Sequence, residues 1–341
     1  MKKKSIIIIV ILAALAGTSI YFYKTKNKVT NLDTDASNFK YKDTAQIDKI
    51  FLADKDGKSL TLTREKEGWM LDNKYKVRPD ILGTLLQTIA SVEVKSPVSK
   101  LGRENVIKIM ASKSIKVEIY SNGDKVKQYY VGHTTQDHLG TYMLLTNVEN
   151  DENYSEPFIT HIPGFEGFLN TRYTTDELDW RDRLIMSYIP PQIKTIQVDL
   201  KSIQDSSFVI ELINTKQFTL KTLKGKQIPF DEDKMKQYIT YFLNVNCEAV
   251  IDEKLPLIDS LNNHAQPFAN ITITDINLKA QTVSLYHKYP LAVKNEQYGV
   301  DYKYDPDRLY VKYNEGKTTG LGQFYVFGKI LQTYAYFLPK K

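Results

Sequence analysis

Apolar and polar residues alternate from Ile47 to Ala53 (IDKIFLA), the period-2 signature of a half-buried strand. The Asp56–Gly57 core of KDGK reads as a hairpin turn, with Ser59 to Arg64 (SLTLTR) as the return strand. Trp69–Met70–Leu71 opens a third short strand, and Asp72–Asn73 supplies the next turn. At Pro79–Asp80 the period changes: Leu82, Leu85, Leu86 and Ile89 fall on one face of a helix, and Pro suits its first turn. Val92 and Val94 lead into an extended segment that ends at Pro97.

The same order of patterns returns about 150 residues later, the kind of self-similarity that marks a duplication. Ile193 to Leu200 stands for IDKIFLAD, Ser207 to Leu212 for SLTLTR, and Phe218–Thr219–Leu220 for Trp69–Met70–Leu71. Phe230–Asp231 matches Pro79–Asp80, and Tyr238, Ile239, Phe242 and Val245 match the Leu-rich helix. Hairpins at Ile115–Tyr120/Gln128–Gly132 and at Phe268–Asp275/Thr282–His287 extend the parallel, as do Thr141–Thr146 and Arg308–Tyr313. Pro157–Leu169 is matched with Gln323–Tyr334 as a turn-rich closing segment. Two prolines interrupt both helices and central strands, so Pro190–Pro191 is taken as the seam. The expected fold is α+β: two tandem repeats of antiparallel sheet, one covering helix each, after a single N-terminal transmembrane helix.

That helix is read from Ser5 to Tyr23 (SIIIIVILAALAGTSIYFY), about 19 uncharged residues, near the length that spans a bilayer. Lys2, Lys3 and Lys4 precede it and Tyr21, Phe22 and Tyr23 end it as an interfacial collar. The expected plan is a basic cytoplasmic tip (1–4), a transmembrane signal anchor (5–23), a flexible tether (24–42), a first repeat (43–189) and a second (190–341). Whether the anchor is cleaved stays open, since Ala14–Leu15–Ala16 offers a small-x-small site. The expected location is the inner membrane, single pass, with the C-terminal domain in the periplasm.

Charge changes this picture little. The net +6 is accounted for by six Lys around the apolar run, so nucleic acid is not an expected partner. Cys247 is the only cysteine, which removes intramolecular disulfides and multi-Cys metal sites; it reads as a buried thiol. The 23 Tyr favour sheet, where half-buried faces suit them.

Candidate chemistry gathers between Tyr129 and Arg183. His133, His138, Asp137 and His161 could be drawn as a zinc site, but no HExxH or Cys-x-x-Cys spacing is present, so neither metal nor cofactor is expected. There is no G-x-S-x-G elbow and no phosphate-binding glycine loop. Trp180–Arg181–Asp182–Arg183 sets planar guanidinium groups beside an aromatic, as carboxylate, phosphate or sugar recognition would use. The ligand-binding candidates are Asp137, Tyr142, His161, Arg172, Tyr173, Trp180 and Arg183; no catalytic residue is assigned.

At these residues the chain resembles domain-of-unknown-function family 4340, in the form found in envelope proteins of Bacteroidetes-type bacteria. The resemblance rests on Trp69 and Tyr75; on Val131, Gly132, Thr134, Asp137, Gly140, Thr141 and Tyr142; on His161, Pro163, Gly164 and Phe165; and on Arg172, Tyr173, Trp180, Arg181 and Arg183. It implies an exported, repeated α+β domain behind one membrane segment, with no assigned activity, and hints at association with envelope ABC-type transport. Three readings stay open. The first is a membrane-anchored, periplasm-facing binding or scaffold protein with an envelope partner. The second is an enzyme acting on glycan or another polymer through Asp137, His161 and Glu166 or Asp179. The third is a small-molecule or peptide binder at the cleft between repeats.

Overall fold

The computed structural model describes residues 36–214, 217–290 and 303–339. The expected anchor, Ser5–Tyr23, and most of the tether lie outside the described residues. Among the described residues, no helix is long and apolar enough to cross a membrane. The chain is a mixed α+β protein with two large antiparallel sheets and few helices, divided into two compact units, Met1–Asp176 and Glu177–Lys341.

In the first unit, strands β1 (Ile47–Ala53), β2 (Ser59–Glu65), β3 (Gly68–Leu71) and β4 (Tyr75–Lys76) form a meander. Helix α1 (Pro79–Ser91), strand β5 (Glu93–Pro97) and helix α2 (Lys100–Ser112) follow. Strands β6 (Ile115–Ser121), β7 (Asp124–Thr134), β8 (Thr141–Thr146) and β9 (Phe158–His161) complete the unit. The nine strands lie in the order β4-β3-β2-β1-β6-β7-β8-β9-β5. The β6–β7 turn places Asn122 and Gly123 at φ 53° and 88°, the left-handed pair that a two-residue hairpin requires.

Alternation assigns the two faces of this sheet. Tyr129 and Val131 of β7 lie opposite Leu145 and Met143 of β8, and all four are buried. Helix α1 buries Leu82, Leu85, Thr88 and Ile89. At its start, Arg78 holds the Asp80 carboxylate with bonds of 2.6 and 2.7 Å, and Asp80 titrates at about 2 as a result. On the opposite face Tyr130, Tyr142, Leu144 and Ile159 pack against Val98, Val106 and Met110, the last two from α2.

The second unit opens with the single turn α3 (Glu177–Trp180) and the strand β10 (Leu184–Met186). It continues with β11 (Ile193–Leu200), β12 (Phe208–Asn214), β13 (Gln217–Thr222), α4 (Glu232–Thr240), β14 (Val245–Asn246), β15 (Ala249–Val250) and α5 (Pro256–Asn263). The strands β16 (Ala269–Asp275), β17 (Ala280–His287), β18 (Arg308–Tyr313) and β19 (Thr318–Gln323) precede a last turn, α6 (Phe324–Phe327). Its eight-stranded sheet runs β13-β12-β11-β16-β17-β18-β19-β15. With β11 set against β1 and β15 against β5, this is the order of the first sheet without β4. Even the irregularities coincide: the register slips between Ile47 and Lys49 where β1 meets β6, and between Ile193 and Thr195 where β11 meets β16.

Three expectations are corrected. Each unit has a second helix: α2 buries only Val106 and Met110, and α5 only Ile258 and Leu261. The unit boundary lies at Asp176/Glu177, ahead of Pro190, because β10 pairs with β14 and Arg181 binds Glu253 at 2.6 Å. The segment matched to Pro157–Leu169 is also displaced: β9 corresponds in sheet order to β19, which precedes Phe324–Phe327.

Each unit holds one Trp, Trp69 or Trp180. Leu85 on α1 is 0% exposed, and Leu85→Ala should destabilise the protein by about 2–5 kcal/mol through lost burial and the cavity left behind. Leu101 on α2 is 100% exposed, and Leu101→Ala should change stability by under about 0.5 kcal/mol. Urea unfolding followed by tryptophan fluorescence measures both.

Candidate functional site

Two of the candidates, Asp137 and Tyr142, meet in one concavity. They line a pocket of ≈ 420 Å³ in the first unit together with Lys95, Ser96, Thr135, Gln136 and Ile159. Its floor is a transverse row across three strands: Ser96 of β5 lies opposite Ile159 of β9, which lies opposite Tyr142 of β8. Directly opposed side chains share a face, so the three project together. Lys95 sits at the irregularity between Val94 and Ser96, where β5 slips against β9. The loop from β7 to β8 contributes Thr135, Gln136 and Asp137.

That loop is tightly built. Thr135 Oγ1 donates to Asp137 Oδ1 at 2.5 Å, and the Leu139 amide donates to the same oxygen at 3.0 Å. The Thr135 amide donates to the Gly140 carbonyl at 3.0 Å. A Cβ on Gly140 would fall 2.5 Å from Ile159 Cγ2, so glycine is what lets the loop descend onto β9. The hydrogen bond from Thr135, then the one from Leu139, holds the Asp137 carboxyl below its usual range, with a smaller contribution from the charge on Lys95. Lys95 Nζ donates to the Leu139 carbonyl at 3.3 Å. The His133 ring lies 4.8 Å from that of Tyr142. Burial lowers the His133 pKa, keeping the imidazole neutral at pH 7.

The other candidates lie elsewhere. His161, at the end of β9, faces Glu93 on β5 and does not line the pocket. Arg172 donates to Thr88 Oγ1 at 2.9 Å and covers the Phe165 ring at 4.4 Å. Tyr173 is 0% exposed, its hydroxyl 3.3 Å from that of buried Tyr129, and burial raises its pKa to about 12. Trp180 is 0% exposed in the second unit. Both rings are buried, and neither lines the pocket. Arg181 is buried and paired with Glu253 and Glu177. Arg183 is half-buried, and its carbonyl accepts from the Cys247 amide at 3.0 Å. Burial raises the Cys247 pKa, and its thiol lies between the Arg183 carbonyl and the Tyr313 hydroxyl. Among the described residues, no three His, Cys, Asp or Glu side chains could together hold a metal ion.

The corresponding row of the second unit is Ala249, Leu321 and Tyr310. Glu248 stands where Lys95 stands, Arg308 where Gly140 stands, and Gln323 where His161 stands. Arg308 binds Glu248 through two bonds of 2.8 and 3.1 Å, and Gln323 Nε2 donates to Glu248 at 3.0 Å. Arg308, above all, holds the Glu248 carboxyl below its usual range. One sheet end is satisfied by its own charges; the other keeps an open pocket.

Sequence reasoning missed Lys95, Ser96 and Ile159, since only the β5–β9 pairing brings them to Tyr142. No family model, curated protein or solved structure matches the chain.

Because its folded pKa is depressed, Asp137 contributes stability that is present above the ordinary aspartate range and is lost as pH falls through the folded value. Carboxyl-carbon NMR titration should find Asp137 ionised below that range. Thr135→Val should return its midpoint towards ordinary aspartate; an unchanged midpoint would mean that the Thr135 bond is not the cause.

Proposed function

We propose that this chain is a membrane-anchored, periplasm-facing binding protein built from two copies of one sheet unit, and that the pocket at Asp137 and Tyr142 is its ligand site. The observation that carries the reading is the contrast between equivalent sheet ends. In one, the Arg308–Glu248 pair is complete within the protein. In the other, Gly140 replaces the arginine, and the space is lined by Lys95, Asp137, Gln136 and an apolar floor. A pocket of ≈ 420 Å³ with few polar groups converging on an apolar floor suits a small ligand.

Recognition is favoured over acid–base catalysis by the state of Asp137. A general acid needs a raised pKa, whereas this carboxyl is lowered and tied to its own loop. The His161 partner that an acid–base pair would need does not line the pocket. Membrane attachment rests on the uncharged run Ser5–Tyr23 and its flanking lysines. The family resemblance adds service to an envelope ABC-type transport system as the setting in which such a protein would act.

Carbonate extraction should leave the full chain in the membrane pellet, and deletion of residues 2–28 should move it to the supernatant. Protease added to spheroplasts should digest both sheet units. Full extraction by carbonate, or protection from the protease, would overturn the proposed location.

A further inference from the structure

We infer that the pocket recognises a zwitterionic α-amino acid with an apolar side chain. This rests on the binding reading above and adds the chemical class of the ligand. The first ground is the pairing of opposite charges at one opening. Lys95 and Asp137 both line it, and the two interact electrostatically. Asp137 is held ionised, and the bonds from Thr135 and Leu139 both end on Oδ1, so Oδ2, which takes neither of them, is the oxygen we assign to a ligand ammonium. Lys95 carries three N–H donors and gives one to the Leu139 carbonyl. The ammonium can therefore donate to a ligand carboxylate.

The second ground is what the pocket would reject. A simple anion that reaches Lys95 also meets the Asp137 charge, and a simple cation meets the reverse. Only a ligand carrying both charges a few bonds apart is complementary to the pair. The third ground is the floor. Ile159 and the Tyr142 ring offer apolar surface, and the His133 that braces Tyr142 is kept neutral, so it adds no third charge. Ser96 and Gln136 supply neutral hydrogen-bonding groups at the edges.

The second unit shows what the same sheet end looks like when these demands are met internally. A carboxylate, a guanidinium and an amide meet there as Glu248, Arg308 and Gln323. In the first unit the position of the arginine is vacated by Gly140, where a side chain would strike Ile159.

The test is isothermal titration of the full chain in detergent with L-leucine, N-acetyl-L-leucine and L-leucinamide. The expected result is binding of L-leucine at least tenfold tighter than either capped form. Lys95→Met and Asp137→Asn should each weaken L-leucine at least tenfold, with thermal unfolding by tryptophan fluorescence checking that each variant is folded. A capped form binding as tightly as L-leucine would overturn the zwitterion assignment and leave the pocket standing as a ligand site. If none of the three binds, the amino-acid class is overturned, while the location test stands or falls separately. L-leucine binding unaffected by both substitutions would place it elsewhere and overturn the assignment as well.

Discussion

The pocket exists because β5 crosses from α1 to the far edge of the sheet and pairs there with β9. Residues 93–97 leave a helix that follows the β1–β4 meander, yet they hydrogen-bond to 158–161 beyond β8. Without that pairing Lys95 and Ser96 would have no fixed relation to Ile159 and Tyr142. Closing such a contact costs loop entropy, which burial must offset. Phe158 of β9, 1% exposed and edge-on to Phe39 at 6.1 Å, is part of that burial, as is the cluster beneath α2. The edge itself is short, charged and ended by Pro97, features that discourage another chain from adding to it.

The parts legible in the chain were those written locally. Alternation at 47–53 and 193–200, the turn chemistry of Asn122–Gly123, and the Pro79–Asp80 and Phe230–Asp231 helix starts need only neighbouring residues to specify them. The second helices were not legible, because each buries only two side chains, and α2 leaves other apolar residues, Leu101 and Ile107 among them, exposed. The β5–β9 pairing was not legible either: Glu93–Pro97 is half polar, and nothing in it names its partner. Of the site, Asp137 and Tyr142 stood out, being close in sequence and flanked by glycine. Lys95 and Ile159 could be reached only through the sheet order.

Conspicuous residues proved a poor guide where burial explains them. Trp180, Tyr173 and Arg181 invite a ligand when read in sequence, since aromatics beside guanidinium groups are common in recognition sites. Each is instead spent on the interior. The Tyr173 hydroxyl meets that of Tyr129, and Arg181 is neutralised by Glu253 and Glu177. A guanidinium that is 3% exposed would be costly unpaired, so its carboxylates are a condition of its burial rather than a sign of function.

The same physics separates the two sheet ends. An arginine at the position of Gly140 would need room that Ile159 occupies, and a carboxylate at the position of Lys95 would need a cation to face. The second unit has both members, and they pair with one another. The first has neither and fixes its own carboxylate from the β7–β8 loop, one bond away from a buried threonine hydroxyl. The Asp137 carboxylate, fixed by Thr135 and Leu139 of its own loop rather than by an ion pair, is oriented when nothing is bound. Such preorganisation lowers the entropic cost of binding, which a self-satisfied ion pair cannot do without first being broken.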